Sequence, residues 1–205
     1  MYVVCIQGVD PSLSSMSDSS YHVENTFRGS AQFWRLFLLT LLCHAGALSA
    51  TAADAAQEVP VGAALRDASL RGLNGPSRRL SAYLGRPLII NVWASWCGPC
   101  RAEMASLERL AWRDESRYFS IIGISTDDEI GQARGLLKQS NATISQFIDS
   151  GLQMEKMLGA SRLPLTVLVD SRGIVLAKIY GARQWDGPDQ QRVIDAAFHQ
   201  TRHVR

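Results

Sequence analysis

The sequence lacks an excess of either charge: 21 Lys and Arg stand against 19 Asp and Glu, a formal net charge of +2 over 205 residues. A chain so balanced has no electrostatic footprint for a phosphate backbone, which excludes nucleic acid as its partner. Cysteine is scarce as well. Four residues, Cys5, Cys43, Cys97 and Cys100, cannot make a disulfide-dense scaffold at this length. No second Cys-x-x-Cys accompanies Cys97 and Cys100, so a closed structural zinc site lacks two of its ligands. There is no internal repeat, and only one apolar stretch is long, from Phe33 to about Leu48. What is present, 46% hydrophobic and 20% charged residues, suffices for one ordinary core and excludes disorder along the whole chain.

The apolar stretch follows Arg28 and Arg35 and precedes the small residues Ala47 to Ala53. Basic, apolar, small is the order of a secretory signal, with the 13 residues Leu36 to Leu48 as its apolar region and Ala50-Thr51-Ala52 as an A-x-A site. Cleavage is expected near Ala52 or Ala53. A retained anchor to the inner membrane, facing the periplasm, is the alternative, and a buried helix is a third. Lipid attachment at Cys43 is disfavoured because Leu42 stands where a small residue is needed. The Ser-rich segment before Arg28 has no periodicity that predicts a fold, and a true start codon downstream of Met1 would explain its length. Residues 1–53 are therefore read as a disordered N-region plus signal peptide or anchor, 54–64 as a linker, 65–200 as one domain and 201–205 as a tail. Cleavage would remove Cys5 and Cys43 together with three acidic and two basic residues, leaving 19 basic and 16 acidic. The exported chain would keep only Cys97 and Cys100 in an oxidising compartment, where chemistry or metal has to account for them.

Within the domain, Leu65–Leu70 and Arg78-Arg79-Leu80 flank an Asn74-Gly75 turn and read as a hairpin. Leu88–Ala94 is a near-continuous apolar run, the pattern of a central strand buried on both faces. From Cys100, apolar Met104, Leu107 and Ala111 recur with helical spacing. Phe119–Ser125 predicts a second buried strand and Ile130–Gln139 a helix, completing a parallel βαβ unit. Ile144–Ile148 reads as a short strand, Leu152–Leu158 as a short helix, and Leu165–Val169 as a strand turning at Asp170–Gly173 into an antiparallel Ile174–Tyr180. A last helix is expected from Asp186-Gly187-Pro188, with Asp186 as cap, through Val193, Ile194, Ala197 and Phe198 to about His199.

Trp96-Cys97-Gly98-Pro99-Cys100 falls where the buried strand ends and the helix begins. Two cysteines three apart at a helix start set one sulfur beside the free N–H groups of the first turn and the other deeper, within reach of a bridge. Helix polarity favours the outer thiolate; a fall in pKa from about 8.5 to about 7 raises its fraction at neutral pH from a few per cent to roughly half. Attack is assigned to Cys97 and resolution to Cys100, a redox-active pair that requires no cofactor.

Val92-Trp93-Ala94-Ser95-Trp96-Cys97-Gly98-Pro99-Cys100-Arg101 resembles thioredoxin, with Leu163-Pro164 where that fold has its cis-proline loop. The leader, the hairpin, Leu80–Pro87, Glu103 in Cys-x-x-Cys-x-x-Glu and the Gly181–Asp186 segment resemble the exported TlpA/ResA-like thiol:disulfide oxidoreductases more closely. The resemblance implies an α/β thioredoxin-like fold, a central mixed β-sheet flanked by helices with an added N-terminal β-hairpin. It implies Pro164 in cis, with Leu163 presenting backbone groups to an extended substrate beside Cys97, and Trp96, Gly98 and Pro99 at the same contact. Asn91 stands where thioredoxin has a buried, proton-carrying Asp, and Glu103, one helical turn after Cys100, is the residue the family implies for that task; the bland reading of Glu103 is a surface helix glutamate. Leu165 stands where thioredoxins usually have Thr. Trp93 reads as core and Trp185 as structural.

The implied activity is periplasmic reduction of disulfides in exported proteins, such as apocytochrome c during maturation or oxidase-assembly proteins, recharged by a membrane thiol reductase of the DsbD/CcdA kind. Any membrane contact would be through the N-terminal segment. An oxidant of the same fold is one alternative, although Gly98-Pro99 resembles the reducing members. A copper-handling module is another, since soft thiolates suit Cu(I) and His199 and His203 are four apart. A peroxidase would need a different Thr and Cys spacing.

Overall fold

The computed structural model describes residues 57–113 and 118–200, the side chains of residues 199 and 200 excepted. The leader, Cys5, Cys43, His203 and the tail from 201 lie outside the described residues. In chain order the elements are β1 (Ser69–Gly72), β2 (Arg78–Arg79), a 3-10 turn (Leu80–Tyr83), β3 (Leu88–Trp93), α1 (Gly98–Ala111), β4 (Ser120–Ser125), α2 (Ile130–Gln139), β5 (Ser145–Ile148), α3 (Gln153–Leu158), β6 (Leu165–Val169), β7 (Val175–Tyr180) and α4 (Pro188–Gln200). They build one seven-stranded sheet in the order β2-β1-β5-β4-β3-β6-β7. β3, β4 and β5 run parallel, whereas β1 and β2 on one side and β6 and β7 on the other pair antiparallel. The sheet is mixed and carries the expected hairpin. Among the described residues no helix is long and apolar enough to cross a membrane.

Strand alternation sorts β3 between two cores. Leu88, Ile90 and Val92 face one apolar cluster with Ile122, Ile124, Leu165, Val167 and Leu158. Ile89 and Trp93 face the other side, where α1 lies: Ile89 packs with Leu107, Leu110, Leu168 and Trp185, and Trp93 with Cys97, Cys100 and Met104. Asn91, between those two, is a polar residue carried to the α1 side by the same alternation. The antiparallel register pairs it with Thr166 of β6.

Four local expectations are corrected. Residues 57–64, read as linker, are laid against the domain: Val59 is buried, its N–H donates to the Met157 carbonyl, and Ala64 bridges to Ile174. Composition could not reveal this, because the segment is held mainly by backbone hydrogen bonds. In α1 the buried residues end on Leu110, and Ala111, although on the line through Cys100, Met104 and Leu107, is the last helical residue and is half-buried. In α4 the residue before the first helical one is Gly187, not Asp186, whose carboxylate instead accepts from Arg109 at 2.6 Å. Val193 is 40% exposed while Ile194 and Phe198 fill the core.

Candidate active site

Cys97 is the N-cap of α1, and its sulfur accepts the Cys100 N–H at 3.2 Å. Pro99 in the first turn suits the helix start, because its missing N–H is one that the helix leaves unbonded anyway. Cys97 and Cys100 form a disulfide with their Cα atoms 5.3 Å apart. The order of depth is as expected, 6% exposure for Cys97 against 0% for Cys100, yet Cys97 is far less open than an outer thiol was expected to be. Trp96–Pro99 and Ala160–Leu163 line an open groove together with Asp128 and Glu155. Trp96 is 68% exposed and free to touch a partner, and Leu163 lines the groove, but Pro164 is buried behind it. The Leu163–Pro164 bond is cis, and the Pro164 carbonyl accepts from Gly181 N–H at 2.9 Å.

Glu103 is not on the surface. It is 2% exposed, one turn beyond Cys100 on the buried face of α1. Its Oε1 accepts from Asn91 Nδ2 at 2.7 Å, and its Oε2 accepts from Trp185 Nε1 and the Arg183 backbone N–H, both at 3.1 Å. Asn91 donates its other N–H to Thr166 Oγ1 at 3.1 Å. Burial raises the Glu103 pKa above the ordinary carboxylate value, and the donors, Asn91 first, pull it back down. Three donors suit a carboxylate and leave a protonated carboxyl with no acceptor among them. Burial outweighs the donors, so the carboxyl holds a proton more tightly than an exposed glutamate would. With Asn91 at 2.7 Å, an Asp there would set two carboxylates against each other.

A family model described as Redoxin matches residues 60–196. This chain belongs to the Redoxin family. Over 152 residues, 72% of this redoxin and 87% of the relative, it is 26% identical to the thiol-disulfide oxidoreductase ResA of Bacillus thuringiensis subsp. konkukian. Over 135 residues, 62% and 73% of the two chains, it is 31% identical to the thiol:disulfide interchange protein DsbE of Pseudomonas aeruginosa. Among solved structures, a DsbE-type thiol:disulfide interchange protein of Chlorobium tepidum superposes with a TM-score of 0.63 at 27% identity, covering 68% of this chain and 99% of that one. The redoxin is thus a thiol-disulfide oxidoreductase of the ResA/DsbE type with a thioredoxin-like fold and its Cys-x-x-Cys at Cys97 and Cys100.

Sequence reasoning missed Asp127. This residue, 1% exposed, lies just beyond β4, and its carboxylate accepts from Ser95 N–H at 3.0 and 2.9 Å, Ser95 Oγ at 2.6 Å and Ser125 Oγ at 2.7 Å. It clamps the loop two residues before the Cys97 sulfur. No local pattern links positions 95 and 127; the link exists because β3 and β4 are parallel neighbours and both chains leave the sheet at the same end. Asp127→Ala would strand the half-buried Ser95 N–H and the buried Ser125 hydroxyl, so a stability loss on the order of 2 kcal/mol is expected in urea denaturation, with Asp127→Asn losing less. Trp185 was read as structural and is fully buried, but its indole N–H on Glu103 was not foreseen. The Glu103 position was legible only in part: spacing of three puts it one helical turn after Cys100, and its burial decides against the surface glutamate that the sequence left open. Among the described residues no group of three or more His, Cys, Asp or Glu is arranged to hold a metal.

Proposed function

We propose that this redoxin is an exported, periplasmic reductase of protein disulfides. The observation that carries the reading is the Cys97 sulfur at the start of α1, accepting the Cys100 N–H at 3.2 Å, in a residue that lines the same groove as Leu163. In the reduced protein the same N–H and the helix start favour a Cys97 thiolate. That thiolate attacks one sulfur of a substrate disulfide, forming a Cys97–substrate disulfide and releasing the other substrate sulfur as thiolate. An extended substrate segment would meet Leu163 and the Trp96, Gly98 and Pro99 surface. Cys100 then gives its proton to Glu103 and attacks Cys97, expelling the second substrate thiolate, so two electrons pass to the substrate and Cys97–Cys100 is left oxidised. A membrane thiol reductase of the DsbD/CcdA kind would return two electrons. Export is supported by the basic, apolar, small order of the leader. Apocytochrome c and oxidase-assembly proteins are the substrate classes that fit this reading.

Cys100→Ser leaves attack intact and removes resolution, so the variant is expected to accumulate covalent mixed disulfides through Cys97 that dithiothreitol releases. A folded variant that traps nothing would overturn the cycle. Equilibration of the native pair with glutathione buffers separates reductase from oxidant, since about 30 mV corresponds to roughly 1.4 kcal/mol for this couple. A potential well above that of the donor would reverse the direction.

A further inference from the structure

Two of the three donors on Glu103 come from one short segment between β7 and α4. Arg183 N–H and Trp185 Nε1–H converge on the same oxygen, Oε2, each at 3.1 Å. The segment is fastened to α1 independently of that oxygen. Ser106 Oγ accepts the Trp185 N–H at 3.1 Å and donates to the Glu103 carbonyl at 2.7 Å, Arg109 pairs with Asp186 at 2.6 Å, and the Gly187 N–H closes a turn on the Gln184 carbonyl at 2.9 Å. The indole ring is buried among Ile89, Leu107, Leu168 and Ile194, so it cannot swing away from the carboxylate. A core tryptophan needs only some acceptor for its N–H. This one has a charged acceptor, in a site that water does not reach, where a hydrogen bond to the ionised form counts most.

We infer that Trp185 is a positioning residue that sets the proton affinity of Glu103, and with it the pH range over which Cys100 is activated. The second half of that statement rests on the reading of Glu103 given above; the first half does not. The groups facing Glu103 from the packed elements are few. β3 offers the neutral Asn91, β6 offers Thr166 behind it, α1 offers the disulfide-bonded Cys100, and the β7–α4 segment offers Trp185 and Arg183, whose positive charge also favours the carboxylate. Removing one donor therefore acts on Glu103 without releasing a competing titration from another side.

The test compares the full chain with Trp185→Phe, both with the Cys97–Cys100 disulfide closed so that neither cysteine titrates, by carboxyl carbon NMR with glutamate labelled and Glu103 assigned through Glu103→Gln. The expected result is a roughly tenfold rise in the proton affinity of Glu103 on loss of the indole donor, with the acid limb of disulfide turnover moving to higher pH by the same factor. An unchanged Glu103 titration in a folded variant overturns the inference. A Glu103 titration that moves while the turnover profile stays put supports the tuning by Trp185 and overturns the use of Glu103 in resolution. Should Trp185→Phe fail to fold, the native chain still decides: the Trp185 indole N–H resonance must titrate together with Glu103 and lose that titration in Glu103→Gln. An indole resonance that is flat with pH refutes the inference.

Discussion

Replacing Cys97 by serine is expected to abolish disulfide exchange, a loss on the order of 10³-fold or greater, measured as reduction of a protein disulfide by the pre-reduced chain. The serine hydroxyl is nearly isosteric and keeps an acceptor at the helix start, so the fold should persist while the reaction stops. Chemistry is lost because only the thiolate attacks a disulfide sulfur at neutral pH. The proposed cycle gives this role to Cys97 rather than Cys100 because Cys97 caps α1 and lines the groove, whereas Cys100 is fully buried. Alkylation of the reduced protein should modify Cys97 first and faster than a free thiol would react at the same pH. If Cys97 behaved in that assay as an ordinary cysteine in water, or if its loss left turnover intact, the helix-start mechanism would be wrong.

Glu103→Gln carries the next largest expected effect. A positioned proton acceptor is worth about 10²–10⁴-fold, and at neutral pH turnover should fall by at least the lower figure while attack by Cys97 is spared. The deficit should narrow in alkali, where Cys100 ionises without help. The wild-type rate should rise with pH as Glu103 gives up its proton, an event that burial moves above the ordinary value of 4.5, and that limb should be missing in the variant. Stability follows by linkage. The folded carboxyl binds its proton more tightly than the unfolded one, so its favourable contribution is complete below 4.5 and is lost as pH rises through the raised folded value. Glutamine removes this dependence, so the stability of the variant relative to wild type should improve with pH across that window in urea denaturation. A pH-independent cost remains, because all three partners donate and the glutamine –NH2 must face one of them.

The fold was largely legible because its signals are local. The run Leu88–Trp93 reads as a central strand because both faces are buried, and Gly98–Ala111 reads as a helix because Cys100, Met104 and Leu107 repeat with its period. The boundaries of α2 and β6 coincide with the expected ones, Ile130–Gln139 and Leu165–Val169, since each is delimited by a change of periodicity or by a proline. Helix α4 was read with its cap one residue early, since both Asp186 and Gly187 are acceptable caps and only the Arg109 contact decides between them. The edge segment 57–64 was misread because main-chain pairing leaves no trace in side-chain composition.

By itself the sequence determined that two cysteines open a helix at the end of a buried strand, and that a glutamate follows one helical turn after the second of them. Those features depend on spacing along a single element. Only the tertiary structure decided what surrounds them: Asn91 and Thr166 brought side by side by antiparallel register, Asp127 reaching Ser95 across parallel strands, and Trp185 and Arg183 closing on Glu103 from about 80 residues away in the chain. A buried charge takes its properties from whichever donors the packing brings to it, and these donors come from segments that have no local spacing in common.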